Sequence, residues 1–182
     1  GKRHSPPGFS PVSPGAISME DATIAPVQYE VIVPLPSDRA FEVFVHEFTT
    51  WWPHEYTWAG DVLDTIVIEA KEGGRCYERG PHGFTVDWGR VVVCECPARL
   101  VFTWQISPDR QPVPDPAKAS EVEVRFEVEG VAMTRVRLEH RGFERHGERA
   151  AAYRDALAAP EGWPYILDRF AAAAAKQVSG VA

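Results

Sequence analysis

The sequence predicts an α+β domain in which a curved antiparallel sheet is covered on one face by a long C-terminal helix. Apolar residues recur with a period of two from Thr65 to His140, as half-buried strands require. At both ends of that stretch the period becomes helical, over Asp38–Phe48 and again from Trp163 onward. The composition, 45% hydrophobic and 25% charged over 182 residues, is that of a single globular domain. A chain of that length buries roughly 70% of the surface its unfolded form exposes, so its core needs neither metal nor disulfide.

The folded part opens at Val27–Val33, with Val27, Tyr29, Val31 and Val33 on one face of a strand. Pro34 and Pro36 end it, and Ser37 is the expected N-cap of a helix from Asp38 to about Phe48. Ala40, Phe41, Phe44, Val45 and Phe48 form its buried stripe. The next segment, around Pro53, holds three of the six tryptophans. Thr65–Ala70 and Arg75–Arg79 are strands joined at Gly73-Gly74, and Pro81-His82-Gly83 turns the chain into a long strand, Phe84–Cys96. Gly89 interrupts that strand and marks a bulge or a close backbone approach. After Pro97, the strand Arg99–Ile106 places Leu100, Phe102, Trp104 and Ile106 on one face.

Residues 107–119 hold four prolines and read as a long hairpin loop, either a lid or a plain connection. Val122, Val124, Phe126 and Val128 then alternate with glutamates and Arg125. Beyond Gly130, Thr134, Val136, Leu138 and His140 alternate with Arg135, Arg137 and Glu139. This is antiparallel sheet with one apolar face and one charged, wet face. The final helix carries Trp163, Ile166, Leu167, Phe170 and Ala174 on one stripe, with Pro164 at its start.

Several classes are excluded. A net charge of −7 with only four lysines removes the electrostatic footprint of a nucleic-acid binder. No run of about eighteen apolar residues spans a membrane. Residues 1–26 carry Pro6, Pro7, Pro11, Pro14 and Pro26 and few large apolar groups, so they are expected to be a disordered leader. They lack a signal peptide's apolar region, and Met19 is a candidate start. Residues 27–178 then form the single domain and 179–182 a tail. Three cysteines without a secretory signal imply a reduced, cytoplasmic chain. Cys94 and Cys96 share a strand face and are expected as small buried hydrophobes, not as a metal or redox pair.

A concave sheet under a helix lined partly by alanine leaves room for a small molecule. The candidates to line that space are Phe48, Trp52, Tyr77, Phe84, Trp88, Phe102, Trp104, Phe126, Trp163 and Phe170, each of which also suits ordinary core. His140 closes its strand on the apolar parity, either as a general base or donor in the cavity or as a structural hydrogen-bonded residue. Of Trp51 and Trp52, one is expected under the sheet and the other at a cavity mouth or interface, unless both simply pack. Arg75 and Tyr77 are candidate polar anchors, Arg75 equally a surface cation opposite Glu69 or Glu78. His46, Glu47, His54 and Glu55 lack the spacing of a metal helix, and His82 and His146 are expected to be solvated. No nucleophile elbow, Walker loop or dinucleotide fingerprint occurs, so no catalytic residue, metal or cofactor is assigned.

The order strand, helices, six strands, long helix resembles the helix-grip fold of the Bet v 1, START and polyketide-cyclase proteins. Phe44–Trp52 with its Trp pair, Gly73-Gly74-Arg75 and Trp88-Gly89-Arg90-Val91 are more specific, as is the run Cys96–Trp104. With Glu121–Phe126, Thr134–His140 followed by Gly142-Phe143, and Gly162-Trp163, they are similar to the domain of the heat-shock protein 90 ATPase activators and their bacterial relatives. The resemblance spans about residues 27–178. It implies the fold directly and the function only loosely, because this superfamily binds many ligands and catalyses in some branches. Eukaryotic activators also carry a separate N-terminal domain, where this sequence shows a proline-rich leader.

The first expectation is therefore non-enzymatic binding of a small apolar molecule between sheet and helix, by a monomer or homodimer. A chaperone-interaction module is the alternative. The third is a cyclase- or hydrolase-like enzyme using His140 or Tyr77 on an aromatic or polyketide-like substrate.

Overall fold

A computed structural model describes residues 23–179. Seven strands form one curled antiparallel sheet in the order β1-β7-β6-β5-β4-β3-β2. They are β1 (Val27–Val33), β2 (Thr65–Ile68), β3 (Arg75–Arg79), β4 (Thr85–Glu95), β5 (Arg99–Trp104), β6 (Ser120–Gly130) and β7 (Met133–Arg141). The helices are α1 (Ser37–His46), α2 (Phe48–Trp51), α3 (Ala150–Ala158) and α4 (Trp163–Ser179). The sheet curls around α4, with α1 and α2 in the same layer, which is the helix-grip α+β architecture that the sequence predicts.

Register explains why one face became core. Across β1, β7, β6, β5 and β4 a single paired row reads Val27, His140, Val122, Phe102, Val91, all between 0% and 3% exposed. A row on the opposite face reads Glu30, Arg137, Arg125, Arg99, Glu95. A slip of one residue would exchange the two faces, so burial itself pins the pairing. The outer charges are neutralised diagonally. Glu123, with a side chain only 9% exposed, meets Arg99 at 2.9 Å, Arg125 at 2.5 Å and Arg141 at 2.6 Å. Burial alone would raise its pKa, but the hydrogen bonds from Arg99 and Arg141 and the charges of Arg125 and Arg141 outweigh that and hold it down to about 2.

The α4 stripe of Trp163, Ile166, Leu167, Phe170 and Ala174 is buried as its spacing requires. Phe126 on β6 receives Phe41 and Phe44 of α1 edge-on, at 5.4 and 5.6 Å between centroids. Of residues 23–26, Ile24 lies against the core and the others are exposed, with Arg154 donating to the carbonyls of Ala25 and Pro26. The leader expectation otherwise falls on residues 1–22, outside the described part.

Four local readings change. Ser37 is the first helical residue and not the N-cap, because Pro36 takes that position and its carbonyl accepts from Ala40. The helix α3 escapes a periodicity search because only Ala150 of it is buried. Val128 is 72% exposed, since β6 there runs past the end of the core. Cys94 and Cys96 are not buried thiols. They are joined by a disulfide at the β4–β5 turn, Cys94 half-buried and Cys96 exposed, with Cα atoms 5.2 Å apart. Only Cys76 is free, and it is buried.

Gly89 is the close approach that its position suggests. A Cβ there would stand 2.3 Å from the Thr103 carbonyl oxygen and 3.2 Å from Cys76 Cβ, and the β3–β4 register shifts beside it. Gly89→Ala is therefore expected to lower stability by about 2 kcal/mol, read by chemical denaturation. An unchanged denaturation midpoint would mean that the β4–β5 pair yields more easily than this packing implies.

Candidate functional site

The inward face of the sheet, α2 and the first turns of α4 bring nine of the eleven candidate residues into one aromatic interior. Phe48, Trp52, Trp88, Phe102, Trp104, Phe126, Trp163 and Phe170 are between 0% and 5% exposed, and His140 is fully buried. Phe48, Trp52 and Trp88 form a near-parallel stack, with interplanar angles of 15–21°. Trp104 and Trp163 close the far side, 6.3 and 6.0 Å from Trp52. The side chains pack on one another, so the interior is closed in this conformation. A groove of about 690 Å³ lies instead on the outer sheet face, lined by paired charges such as Glu30, Glu123, Arg125 and Arg137.

Two candidates lie elsewhere. Cys76 and Glu78 occupy the inward parity of β3, which turns Tyr77 outward between the guanidinium groups of Arg75 and Arg79, 4.5 and 5.1 Å from its ring centre. The Arg75 guanidinium pairs with Asp87 at 2.6 Å, while its backbone N–H donates to Glu69 Oε1 at 2.8 Å. Phe84 is 41% exposed in the turn before β4. Both Trp51 and Trp52 are buried; Trp51 Nε1 donates to the Val43 and Phe44 carbonyls at 3.2 and 3.0 Å.

The polar part of the interior is a directed chain. Trp163 Nε1–H donates to His140 Nδ1 at 2.9 Å, so that nitrogen carries no proton. A neutral imidazole then holds its proton on Nε2 and donates to Ser120 Oγ, 2.7 Å away. The Ser120 hydroxyl in turn donates to His146 Nε2 at 2.7 Å, and the Ser120 backbone N–H approaches the same nitrogen at 3.3 Å. Burial, and secondarily the charge of His146, pushes the His140 pKa well below its ordinary value; burial alone lowers His146 to about 4. His146 is thus half-buried and bonded, contrary to the solvated position expected of it. Both nitrogens of His140 are committed, so it offers a ligand neither a base nor a donor.

Sequence reasoning passed over Glu78, Ser120, Tyr153 and Trp58. Glu78 is 1% exposed, and its two oxygens accept the backbone N–H groups of Trp58 and Ala59 at 3.1 and 2.9 Å. Its inward parity beside Cys76 was the available signal. Tyr153 accepts from Trp104 Nε1 at 2.7 Å and donates to the Ile106 carbonyl, and burial pushes its hydroxyl up to about 12. Trp58 Nε1 donates to the Arg110 carbonyl at 2.7 Å, and Arg110 returns a bond to the Tyr56 carbonyl. The proline-rich loop is thereby laced to the 54–62 segment.

Among the described residues no group of three or more His, Cys, Asp and Glu could hold a metal. His54 binds the Thr49 carbonyl and Glu55 the Tyr165 hydroxyl, while His82 is exposed. No described helix is long and apolar enough to cross a membrane.

A curled antiparallel sheet gripping a C-terminal helix with an aromatic interior defines a START/Bet v 1-like domain. Residues 34–175 match the family described as activator of Hsp90 ATPase homolog 1-like protein, and the chain belongs to that family. Among solved structures it is similar to an anthrahydroquino-γ-pyrone synthase, Txn09, complexed with SUM. The two share 35% identity over 84% of this chain and 98% of that one, with a TM-score of 0.59. It is also similar to CalC, a self-sacrificing resistance protein from Micromonospora echinospora, at 28% identity over 84% and 95% of the two chains and a TM-score of 0.57. Protein NE0264 from Nitrosomonas europaea shares the fold at 12% identity, covering 85% and 96%, with a TM-score of 0.57. No curated protein sequence matches significantly.

Two outcomes test the His140 chain. His140→Ala strands the Trp163 N–H and leaves a cavity, and is expected to cost about 3 kcal/mol in chemical denaturation. Both histidines are held neutral when folded, so the unfolded chain binds more protons as the pH falls below about 6.5. Stability should be full above that pH and decline towards pH 4, and His146→Gln should flatten part of the decline.

Proposed function

We propose that this protein binds a small aromatic, polyketide-like molecule between the sheet and α4, without chemical turnover. The observation that carries the reading is the inward wall, where Trp52, Trp88, Trp104 and Trp163 meet at centroid distances of 5.5–6.3 Å. Flat π surfaces of that extent suit a planar apolar ligand, and mostly apolar pockets with few polar groups are the rule for small-molecule sites. The acid–base groups beside the wall are already committed, His140 to Trp163 and Ser120, Glu78 to two backbone N–H groups. The likeness to a synthase complexed with SUM and to a resistance protein supports a small molecule as the partner.

The conformation described is closed, so entry requires the packed rings of the interior to part. An organic extract of gently purified protein, read by mass spectrometry, is expected to contain a stoichiometric aromatic molecule. Added at a hundredfold excess over its Kd, such a ligand should stabilise the fold by about 2.7 kcal/mol. An empty extract together with no thermal shift from a panel of planar aromatics would defeat the reading.

The 35% identity to a synthase favours one further possibility, catalysis on a polyketide-like substrate in the same interior. Glu78 is then the candidate acid–base group, a buried inward-facing carboxylate bonded to the backbone of Trp58 and Ala59. Conversion of such a substrate by the wild type and not by Glu78→Gln would establish it, whereas unchanged substrate in both would leave binding alone. The chaperone-contact alternative rests on the family description only.

A further inference from the structure

The β4–β5 turn is held without any covalent tie. Ala98 N–H donates to the Glu95 carbonyl at 2.8 Å, and the Ala98 carbonyl accepts from Phe126 N–H of β6 at 2.9 Å. The Arg99 guanidinium meets Glu95 and Glu123, each at 2.9 Å. Cys94 and Glu95 keep register with Leu100 and Arg99. The Cys94–Cys96 bond is added to these contacts and encloses a single intervening residue, Glu95. A cross-link stabilises a fold largely by removing freedom from the unfolded chain, and that effect shrinks with the length of the loop closed. A bond across two positions is therefore a weak staple.

Its two sulfurs are not equivalent. Cys94 is half-buried opposite Leu100 and packs against the core, whereas Cys96 is exposed in the turn. In thiol–disulfide exchange a thiolate must reach one sulfur and displace the other, so access decides which is attacked. Exposed disulfides are also the labile ones, while structural disulfides resist reduction. The third cysteine stands apart. Cys76 lies on β3 with its thiol buried beside Gly89, and burial pushes its pKa up, so it is inert towards exchange.

We propose that Cys94–Cys96 is a reversible exchange site for a low-molecular-weight thiol, with Cys96 as the sulfur attacked and Cys94 as the leaving and resolving one. The thiolate of a first small thiol attacks Cys96 Sγ and forms a mixed disulfide as the Cys94–Cys96 bond breaks. The electron pair leaves on Cys94 as a thiolate, which takes up a proton. A second small thiolate then attacks the small thiol's sulfur in the mixed disulfide, and Cys96 leaves as a thiolate and is protonated in turn. Two small thiols are oxidised to one small disulfide, and the protein disulfide is reduced by two electrons. In the reverse direction Cys94, two positions away, resolves the mixed disulfide on Cys96 and restores the bond. This chemistry is independent of whether a ligand enters the interior.

The test uses the full chain and glutathione. Isolated under air, the protein should show one free thiol in denaturant and three after reduction. Millimolar reduced glutathione at neutral pH should then convert the folded protein to its dithiol form, read by peptide mass spectrometry as alkylation at Cys94 and Cys96 with Cys76 unlabelled. With oxidised glutathione, Cys94→Ser should gain an adduct on Cys96 on the order of tenfold faster than Cys96→Ser gains one on Cys94. The double variant Cys94→Ser/Cys96→Ser should fold and melt no more than about 6 °C below the wild type.

A bond that resists glutathione in the folded protein and yields only in denaturant overturns the site, as does a double variant that does not fold. An adduct that forms as fast on Cys94 as on Cys96 overturns the direction of attack. Three free thiols in the protein as isolated overturn the inference at its root.

Discussion

The hydrogen bond from Trp163 to His140 is the contact on which the arrangement of this domain depends. It joins the first residue of α4 to the inner face of β7, and is made in the dry interior where a neutral imidazole is the only tolerable form. Because His140 pairs in register with Val27 on one side and Val122 on the other, the helix is fastened to three strands through one ring. Ser120 and His146 then carry the same chain of donors to the turn after β7, and Tyr153 of α3 meets Trp104 beside it. The grip of sheet on helix is thus a directional polar device set inside an apolar one. Ring packing supplies most of the burial, and the donor chain fixes which way the helix lies.

The outer face solves a different problem. In register, Arg137, Arg125 and Arg99 stand side by side across three strands, an arrangement that would repel if the partners were only lateral. Glutamates displaced along the strands meet them diagonally, and Glu123 takes three arginines at once. Surface ion pairs are individually weak, yet a network around one nearly buried carboxylate is held more firmly than its separate members. The 690 Å³ groove on this face is polar throughout most of its lining and lies on the far side of the sheet from the indoles.

Much of the fold was legible because it is written in periods. Alternation in β6 and β7, the α4 stripe and the Gly89 approach were each visible from residue type and spacing. What stayed hidden depends on three-dimensional pairing. His146 looks like any polar-stretch histidine until Ser120 arrives from twenty-six residues away, and the Cys94–Cys96 bond needs the local backbone that brings the two Cα atoms to 5.2 Å. Tyr77 shows the limit of listing aromatics without counting parity, since Cys76 and Glu78 on either side had already claimed the inner face. Glu78 was the converse, a carboxylate whose inward parity argued against its type.

The indole network has an optical consequence. Trp51, Trp52, Trp88, Trp104 and Trp163 are linked through neighbours 5.5–6.3 Å apart, with Trp52 touching the other four. At such spacings excited states are shared among chromophores, so these tryptophans absorb and emit as a coupled array and not as independent probes. Circular dichroism in the indole bands then reports the mutual orientation of the rings, a property of the core that survives only while the helix is gripped. The protein carries in its own interior a spectroscopic label for the packing of that core.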